Sequence, residues 1–393
     1  MVFREHIFAN FLQPMDPKNF SDLTLGNVWS FFVHFWTLYF ELFLGFAVMG
    51  LCLFLLDEAF SHRPSIESDK VSPARKAVNL LVFGLVVAVA GHIMLFLPLD
   101  LHPTDLTGRT YLVTGCTYGG IGFDTALILA QWNASVICTV RSKDIGEEVV
   151  VKTAPLLRGS KGKIEYALVE LASFKSVRSL AAELSRRVSR LDGIVLNAGV
   201  NYHGSQVSED GLETLVQVNH YSQFLLVRLL EGKLAESVRL GASPKLVFVS
   251  STAYLSGYLD RELYEHTKRP QGRQDKPDFM GSNLPTYSDT KLMNVLTANK
   301  FGERFKSKQI NGTSNSCSPG LVRTKMTSQI SDDPMIKLSG VLSAYFGRTC
   351  AQGAARTIQI LTEPPLEKIS GHHFNDYIPL PRWFGRTILS IFS

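Results

Sequence analysis

Tyr287 and Lys291 stand four residues apart in Tyr287-Ser-Asp-Thr-Lys291, an interval that puts both side chains on one face of a helix. A phenol titrates near ~10 in water, and an ammonium beside it favours the charged form. The pair therefore predicts a tyrosine whose pKa is drawn toward neutral and which works as a general acid/base. Upstream, Ser250 and Ser251 end an apolar run that begins at Lys245. A hydroxyl fixed there can donate to an oxygen on which negative charge builds during a reaction. Alone, Tyr-x-x-x-Lys is also an ordinary surface pair, so its meaning depends on what else the chain brings to it.

A glycine-rich turn supplies that context. Thr114-Gly115-Cys-Thr-Tyr-Gly119-Gly120-Ile121-Gly122 follows a strand-like run and leads into a helical pattern from Phe123. Glycines serve a tight turn, the approach of backbone to a pyrophosphate, and close strand–helix packing. The following helix N-terminus offers free N–H groups and partial positive charge to phosphate. The next strand ends at Thr139-Val140-Arg141-Ser142. At that place an acid favours NAD, whereas an arginine accommodates the 2′-phosphate of NADP. Arg141 and Ser142, followed by Lys143 and with no acid, point to NADP(H) rather than NAD(H).

These residues must be held by a regular scaffold. Strands are predicted at Thr110–Thr114, Ser135–Val140, Ile164–Glu170, Gly193–Asn197, Lys245–Ser250 and Gly312–Cys317, with helical patterns between most of them. Such alternation implies a parallel sheet covered on both faces. The 40 Lys+Arg exceed the 35 Asp+Glu by 5 of 393 residues, and the excess is dispersed. Nucleic acid is not expected as a partner. The five cysteines, Cys52, Cys116, Cys138, Cys317 and Cys350, lack C-x-x-C spacing, which indicates neither a disulfide framework nor a metal site.

The first hundred residues differ in character. Val28 to Leu56 and Ala77 to Leu99 are nearly free of charge, and each run exceeds the ~20 residues that cross a bilayer as a helix. Two long runs beginning well inside the chain suit retained anchors better than a cleaved leader. The expectation is a two-span or hairpin membrane anchor over residues 1–104 and a catalytic domain over 105–393. The lipid bilayer is then a partner, and the endoplasmic reticulum membrane the expected location. The tail from Pro381 mixes Arg382 and Arg386 with Trp383, Phe384 and Ile388, which suits a surface-lying segment or a packed tail.

Adding Asn197-Ala198-Gly199, Asn219 in Gln-Val-Asn-His, and Pro319-Gly320, the chain from about Asp105 resembles the short-chain dehydrogenase/reductase family. Glu170-Leu171-Ala-Ser-Phe-Lys-Ser-Val-Arg, Val218-Asn-His and Tyr287-Ser-Asp-Thr-Lys-Leu make it most similar to the retinol-dehydrogenase group and its steroid- and polyprenol-converting relatives. The resemblance implies a Rossmann-type doubly wound sheet and hydride exchange with a lipophilic alcohol or carbonyl. It implies Tyr287 as general acid/base, Ser251 rather than Ser250 on the substrate oxygen, and Lys291 on the nicotinamide ribose. Asn219 would hold a water that links Lys291 to solvent. Pro319, Gly320 and Thr324 would lie beside the nicotinamide, with Glu170 and Leu171 at the adenine. Family members often dimerise, so a homodimer is open. The alternative from another class is a catalytically silent NADP-binding scaffold, whose mark would be loss of Ser251, Tyr287 or Lys291.

The chain departs from the family pattern in several places. The glycine turn has one extra residue, leaving Gly119 and Gly120 both candidates for the second glycine. Glu170 replaces a usual Asp, and Ser222 a frequent glycine. Ser251 and Tyr287 lie 36 residues apart, a long interval expected to be a substrate-side insertion. The segment Lys325 to Arg348, with Met326, Met335 and Phe346, is expected to form the opposite pocket wall.

Overall fold

The computed structural model describes residues 101–201, 206–257, 259, 284–324 and 347–375, which belong to the unit Pro98–Ser393. Seven strands form one sheet: β1 Thr110–Val113, β2 Ser135–Val140, β3 Lys163–Leu168, β4 Gly193–Leu196, β5 Lys245–Val249, β6 Thr313–Ser318 and β7 His373–Asn375. Their order is β3-β2-β1-β4-β5-β6-β7, and every pair is parallel. Six of the strands match the expected runs within two residues at either end. β7 was not anticipated from the sequence.

Alternation along each strand divides the core between the two faces. Leu112, Ile137, Leu196, Leu246 and Phe248 point to one side and pack under helices α3 (Phe174–Arg187), α4 (Ser222–Arg239) and α5 (Leu284–Ser307). Tyr111, Val113, Val136, Val195 and Val247 point to the other, under α1 (Ile121–Gln131), α2 (Lys143–Thr153) and α6 (Cys350–Thr362). Strands buried on both faces read as continuous apolar runs, as in Gly193–Leu196, where every residue is buried. On the first face Phe301 of α5 stacks on Phe248 at 6.0 Å and meets Phe224 of α4 at 5.6 Å. That contact fixes the height of α5 over the sheet.

Two ends of this scaffold matter for function. Strand order reverses between β1 and β4, and a crevice opens at such a switch point beyond the strand carboxyl ends. Into α4 the chain passes through a helical turn at Thr214–Val216 and a π-turn at Gln217–Tyr221. A single π-turn rotates one residue out of helical register and is frequent at functional sites. Here it carries Asn219.

The membrane anchor expected over residues 1–104 falls almost wholly outside the described residues. Residues 28–56 and 77–99 lie outside the described residues, as does the tail from Pro381. Among the described residues no helix is long and apolar enough to cross a membrane.

Candidate functional site

The glycine turn and Asn197-Ala198-Gly199 are interlocked across the switch point. Gly115 has φ +73, and a Cβ there would stand 2.8 Å from Ala198 Cα. At Gly122 it would stand 2.5 Å from Asn197 Nδ2 and 2.6 Å from the Gly115 carbonyl oxygen. Asn197 Nδ2 donates to the carbonyls of Thr114 (2.9 Å) and Gly115 (3.2 Å). Thr114 Oγ1 accepts from the backbone N–H groups of Asn197 and Ala198, each at 3.0 Å.

The extra residue is absorbed in a β-turn closed by Gly120 N–H to the Thr117 carbonyl at 2.9 Å, with Gly119 at φ +77. Gly119 thus makes the turn, and Gly120 becomes the residue before helix α1. Tyr118 is carried outward to 40% exposure, its ring 5.2 Å from Phe123 and 5.0 Å from the Lys152 ammonium. No side chain caps α1, so its first-turn N–H groups remain free to receive a phosphate.

The adenosine end is more open. Arg141 is exposed at the end of β2, and Ser142 caps α2 by accepting from Ile145 N–H at 3.5 Å. Glu170 is exposed, and its carboxylate accepts from Ala172 N–H at 2.9 Å. Leu171 is buried, and its carbonyl accepts from the Ser222 hydroxyl. Serine in place of the frequent glycine therefore ties the start of α4 to the loop after β3.

At the reactive end the two serines have different partners. Ser250 is buried and donates to the Lys291 carbonyl at 2.8 Å. Ser251 precedes the 3-10 turn Thr252–Ser256, accepts from Ala253 N–H at 3.3 Å, and has its hydroxyl close enough to the Tyr287 phenol to draw that group's pKa down. The turn presses on α5 at Gly257, where a Cβ would stand 2.7 Å from the Ser288 carbonyl oxygen.

Lys291 Nζ donates to the Val249 carbonyl at 3.1 Å and sits 5.3 Å from the Tyr287 ring centroid. Burial holds this ammonium down at about 8. Burial also pushes the Tyr287 phenol up to about 12, against the opposing pull of the Ser251 hydroxyl. This overturns the expectation that the neighbouring ammonium draws the phenol toward neutral. Lys291 turns to a strand carbonyl, and desolvation of the phenolate dominates.

Asn219 is fully buried and its polar atoms are heavily engaged. Nδ2 donates to the Val200 carbonyl (3.0 Å) and to Thr290 Oγ1 (3.2 Å), while Oδ1 accepts from Val200 N–H (2.7 Å). Its main-chain carbonyl accepts from Gln223 Nε2 (2.9 Å) and Asn294 Nδ2 (3.2 Å). What remains is one lone pair on Oδ1. A point one bond from Gly199 Cα lies 3.4 Å from both that oxygen and Lys291 Nζ.

Gln223 and Asn294 were not singled out by sequence. Gln223 stands four residues beyond Asn219 and Asn294 three beyond Lys291, each inside an otherwise apolar helix stretch, and that placement was the available signal. Asn294 also meets His220 Nδ1 at 3.0 Å, and burial lowers that imidazole to about 4.

Pro319, buried, and Gly320, at φ +76, follow β6, with Thr324 beyond them. Residues 260–283 of the long interval and 325–346 of the expected pocket wall lie outside the described residues. The ends of the latter meet through Arg323 N–H to the Arg348 carbonyl (2.9 Å) and Arg348 N–H to the Leu321 carbonyl (2.8 Å).

A glycine turn at the switch point and a serine–tyrosine–lysine cluster beyond β5 define a nicotinamide-dependent oxidoreductase. The model of the family described as short chain dehydrogenase matches residues 109–269. Retinol dehydrogenase 14 from Mus musculus is 31% identical over 283 residues, covering 70% of this chain and 79% of that protein. Short-chain dehydrogenase TIC 32 B, chloroplastic, from Brassica napus is 29% identical over 279 residues, covering 70% of this chain and 82% of the relative. Among solved structures, the Pseudomonas aeruginosa RhlG/NADP active-site complex aligns with a TM-score of 0.54 at 22% identity, over 70% of this chain and 98% of that one. The chain belongs to the short chain dehydrogenase family, in its retinol-dehydrogenase-like part. The expected endoplasmic reticulum membrane location is not supported: among the described residues no helix is long and apolar enough to cross a membrane, and a similar protein, TIC 32 B, is named as chloroplastic.

Proposed function

We propose that this oxidoreductase exchanges hydride between NADP(H) and a lipophilic alcohol or carbonyl, with Tyr287 as the proton donor and acceptor. The observation that carries the reading is the clustering of Ser251, at the end of β5, with the Tyr287 phenol, and of Lys291 beside the tyrosine ring. When bound, the nicotinamide supplies or receives the hydride.

In the reducing direction hydride adds to the carbonyl carbon, and the oxygen takes the Tyr287 proton. Ser251 donates to that oxygen as charge develops. A phenol near 12 holds its proton at working pH, which suits the donor role. Lys291, near 8, exchanges protons close to neutrality and restores the phenol. The glycine turn, the uncapped α1 N-terminus and Asn197 fit the cofactor's pyrophosphate. Arg141 has no hydrogen-bond or ion-pair partner among the described residues, which supports contact with a 2′-phosphate.

A lipophilic substrate is supported by two exposed leucines flanking the site, Leu255 in the 3-10 turn and Leu321 after Gly320. The name of a similar protein, retinol dehydrogenase 14, agrees with that chemistry. The test supplies full-length protein with NADPH or NADH carrying deuterium at the transferable position, and a panel of retinal, a steroid ketone and a polyprenal in micelles. Deuterium in one product class, with NADPH outperforming NADH by roughly tenfold or more, is the expected result. Label in no product, with the reverse reactions also silent, overturns the reading.

A further inference from the structure

β7 brings a histidine under the site. Parallel pairing sets His373 opposite Ser316, and period-two alternation places Ser318 on the same face. Both ring nitrogens are engaged, Nδ1 with Ser316 Oγ at 2.9 Å and Nε2 with Ser318 Oγ at 3.1 Å. Tyr254 meets the imidazole edge-on, with ring centroids 4.6 Å apart. Burial lowers His373 to about 4, so the ring is neutral at working pH, with one nitrogen donating and the other accepting. One serine accordingly accepts from the ring and the other donates to it.

The two partners lead to opposite sides of the reaction centre. Ser318 ends β6 and is followed directly by Pro319-Gly320, the segment expected beside the nicotinamide. Tyr254 lies in the 3-10 turn three residues after Ser251, whose hydroxyl acts on the Tyr287 phenol. Ser316 and Ser318 are fully buried, so their hydroxyls depend on partners within the protein. Among natural side chains, a neutral imidazole can serve two hydroxyls at separate nitrogens while presenting a flat ring to an aromatic neighbour.

We propose that His373 is a positioning residue for hydride transfer, clamping the strand end that leads to Pro319-Gly320 against the turn that carries Ser251. This rests on the function proposed above. The clamp keeps the hydride side and the proton side of the site in one registration. Displacement of about 1 Å can cost on the order of 100-fold in such a step.

The test compares full-length wild type, His373→Phe, His373→Gln, Ser318→Ala and the Ser318→Ala/His373→Phe double variant. The assay is deuteride transfer from NADPH across the same carbonyl panel, alongside NADPH affinity and thermal stability. The clamp predicts that His373→Phe lowers kcat by roughly tenfold or more, with KM and NADPH affinity within about twofold. His373→Gln, which keeps a donor and an acceptor, recovers much of the loss. Ser318→Ala leaves the Ser316 bond in place and loses kcat similarly, and the double variant loses no more than either single one. If His373→Phe fails to fold, Ser318→Ala and His373→Gln carry the same comparison. Stability that falls while kcat per folded molecule stays at the wild-type level in an active enzyme overturns the clamp alone. A wild type inactive in both directions overturns the functional reading and the clamp together.

Discussion

The Gln223 side-chain amide donates to the main-chain carbonyl of Asn219 at 2.9 Å, fastening the π-turn to the cofactor side of the site. The same nitrogen reaches the Ala198 carbonyl at 2.8 Å, and Oε1 accepts from Thr114 Oγ1 at 3.1 Å. One fully buried amide therefore joins the glycine turn, the end of β4 and the segment under Lys291. Replacing it with leucine leaves buried polar groups without their partner, at a cost of about 2–3 kcal/mol. Gln223→Leu is expected to unfold at lower urea concentration and to bind NADPH more weakly, measured by denaturation and by fluorescence titration. Unchanged values in both would remove Gln223 from the framework of the site.

Gly122 shows why the turn and Asn197 behave as one unit. A methyl group there would meet Asn197 Nδ2 at 2.5 Å and the Gly115 carbonyl oxygen at 2.6 Å, and one of the contacted atoms is backbone. Gly122→Ala is expected to destabilise the domain by about 1–3 kcal/mol through overpacking. NADPH affinity should fall more steeply than stability, because the displaced groups shape the phosphate cradle. Calorimetric titration of the folded variant separates the two effects.

Lys291 yields a pH prediction of definite sign. Its folded value of about 8 lies below the ordinary 10.5, so between those values the unfolded chain holds the proton that the folded chain has released. Stability conferred at this position therefore rises as pH increases from 8 toward 10.5. Below pH 8 both states are charged, and the buried ammonium weighs against folding. Lys291→Met is expected to be more stable than wild type at pH 7, by about 2–3 kcal/mol. The advantage shrinks by pH 9.5. Thermal melts of both proteins across that range, without cofactor, test it. A constant difference would contradict the burial argument.

The legible parts were those where pattern and geometry coincide. Strands β1, β2, β4 and β5 are largely apolar runs between helical patterns, and the alternation of strand and helix implied a parallel sheet. β7 escaped notice because His373-Phe374-Asn375 is three residues long and contains no β-branched residue. Spacing placed Tyr287 and Lys291 on one face. It could not foretell that Lys291 would turn to the Val249 carbonyl while burial raised the phenol. Gln223 and Ser222 were obscured for a related reason, since their roles depend on carbonyls 25 and 51 residues away in sequence. The apolar runs before residue 100, which suggest an anchor, lie outside the described residues.

The proposed role of Tyr287 as proton carrier in hydride transfer is probed by Tyr287→Phe. Single-turnover transfer from deuterated NADPH should slow by roughly 1000-fold or more, while NADPH affinity stays within about twofold and the thermal midpoint holds or rises. A variant that transfers deuteride at near the wild-type rate, with cofactor bound normally, would contradict the claim and move the proton donor elsewhere in the site.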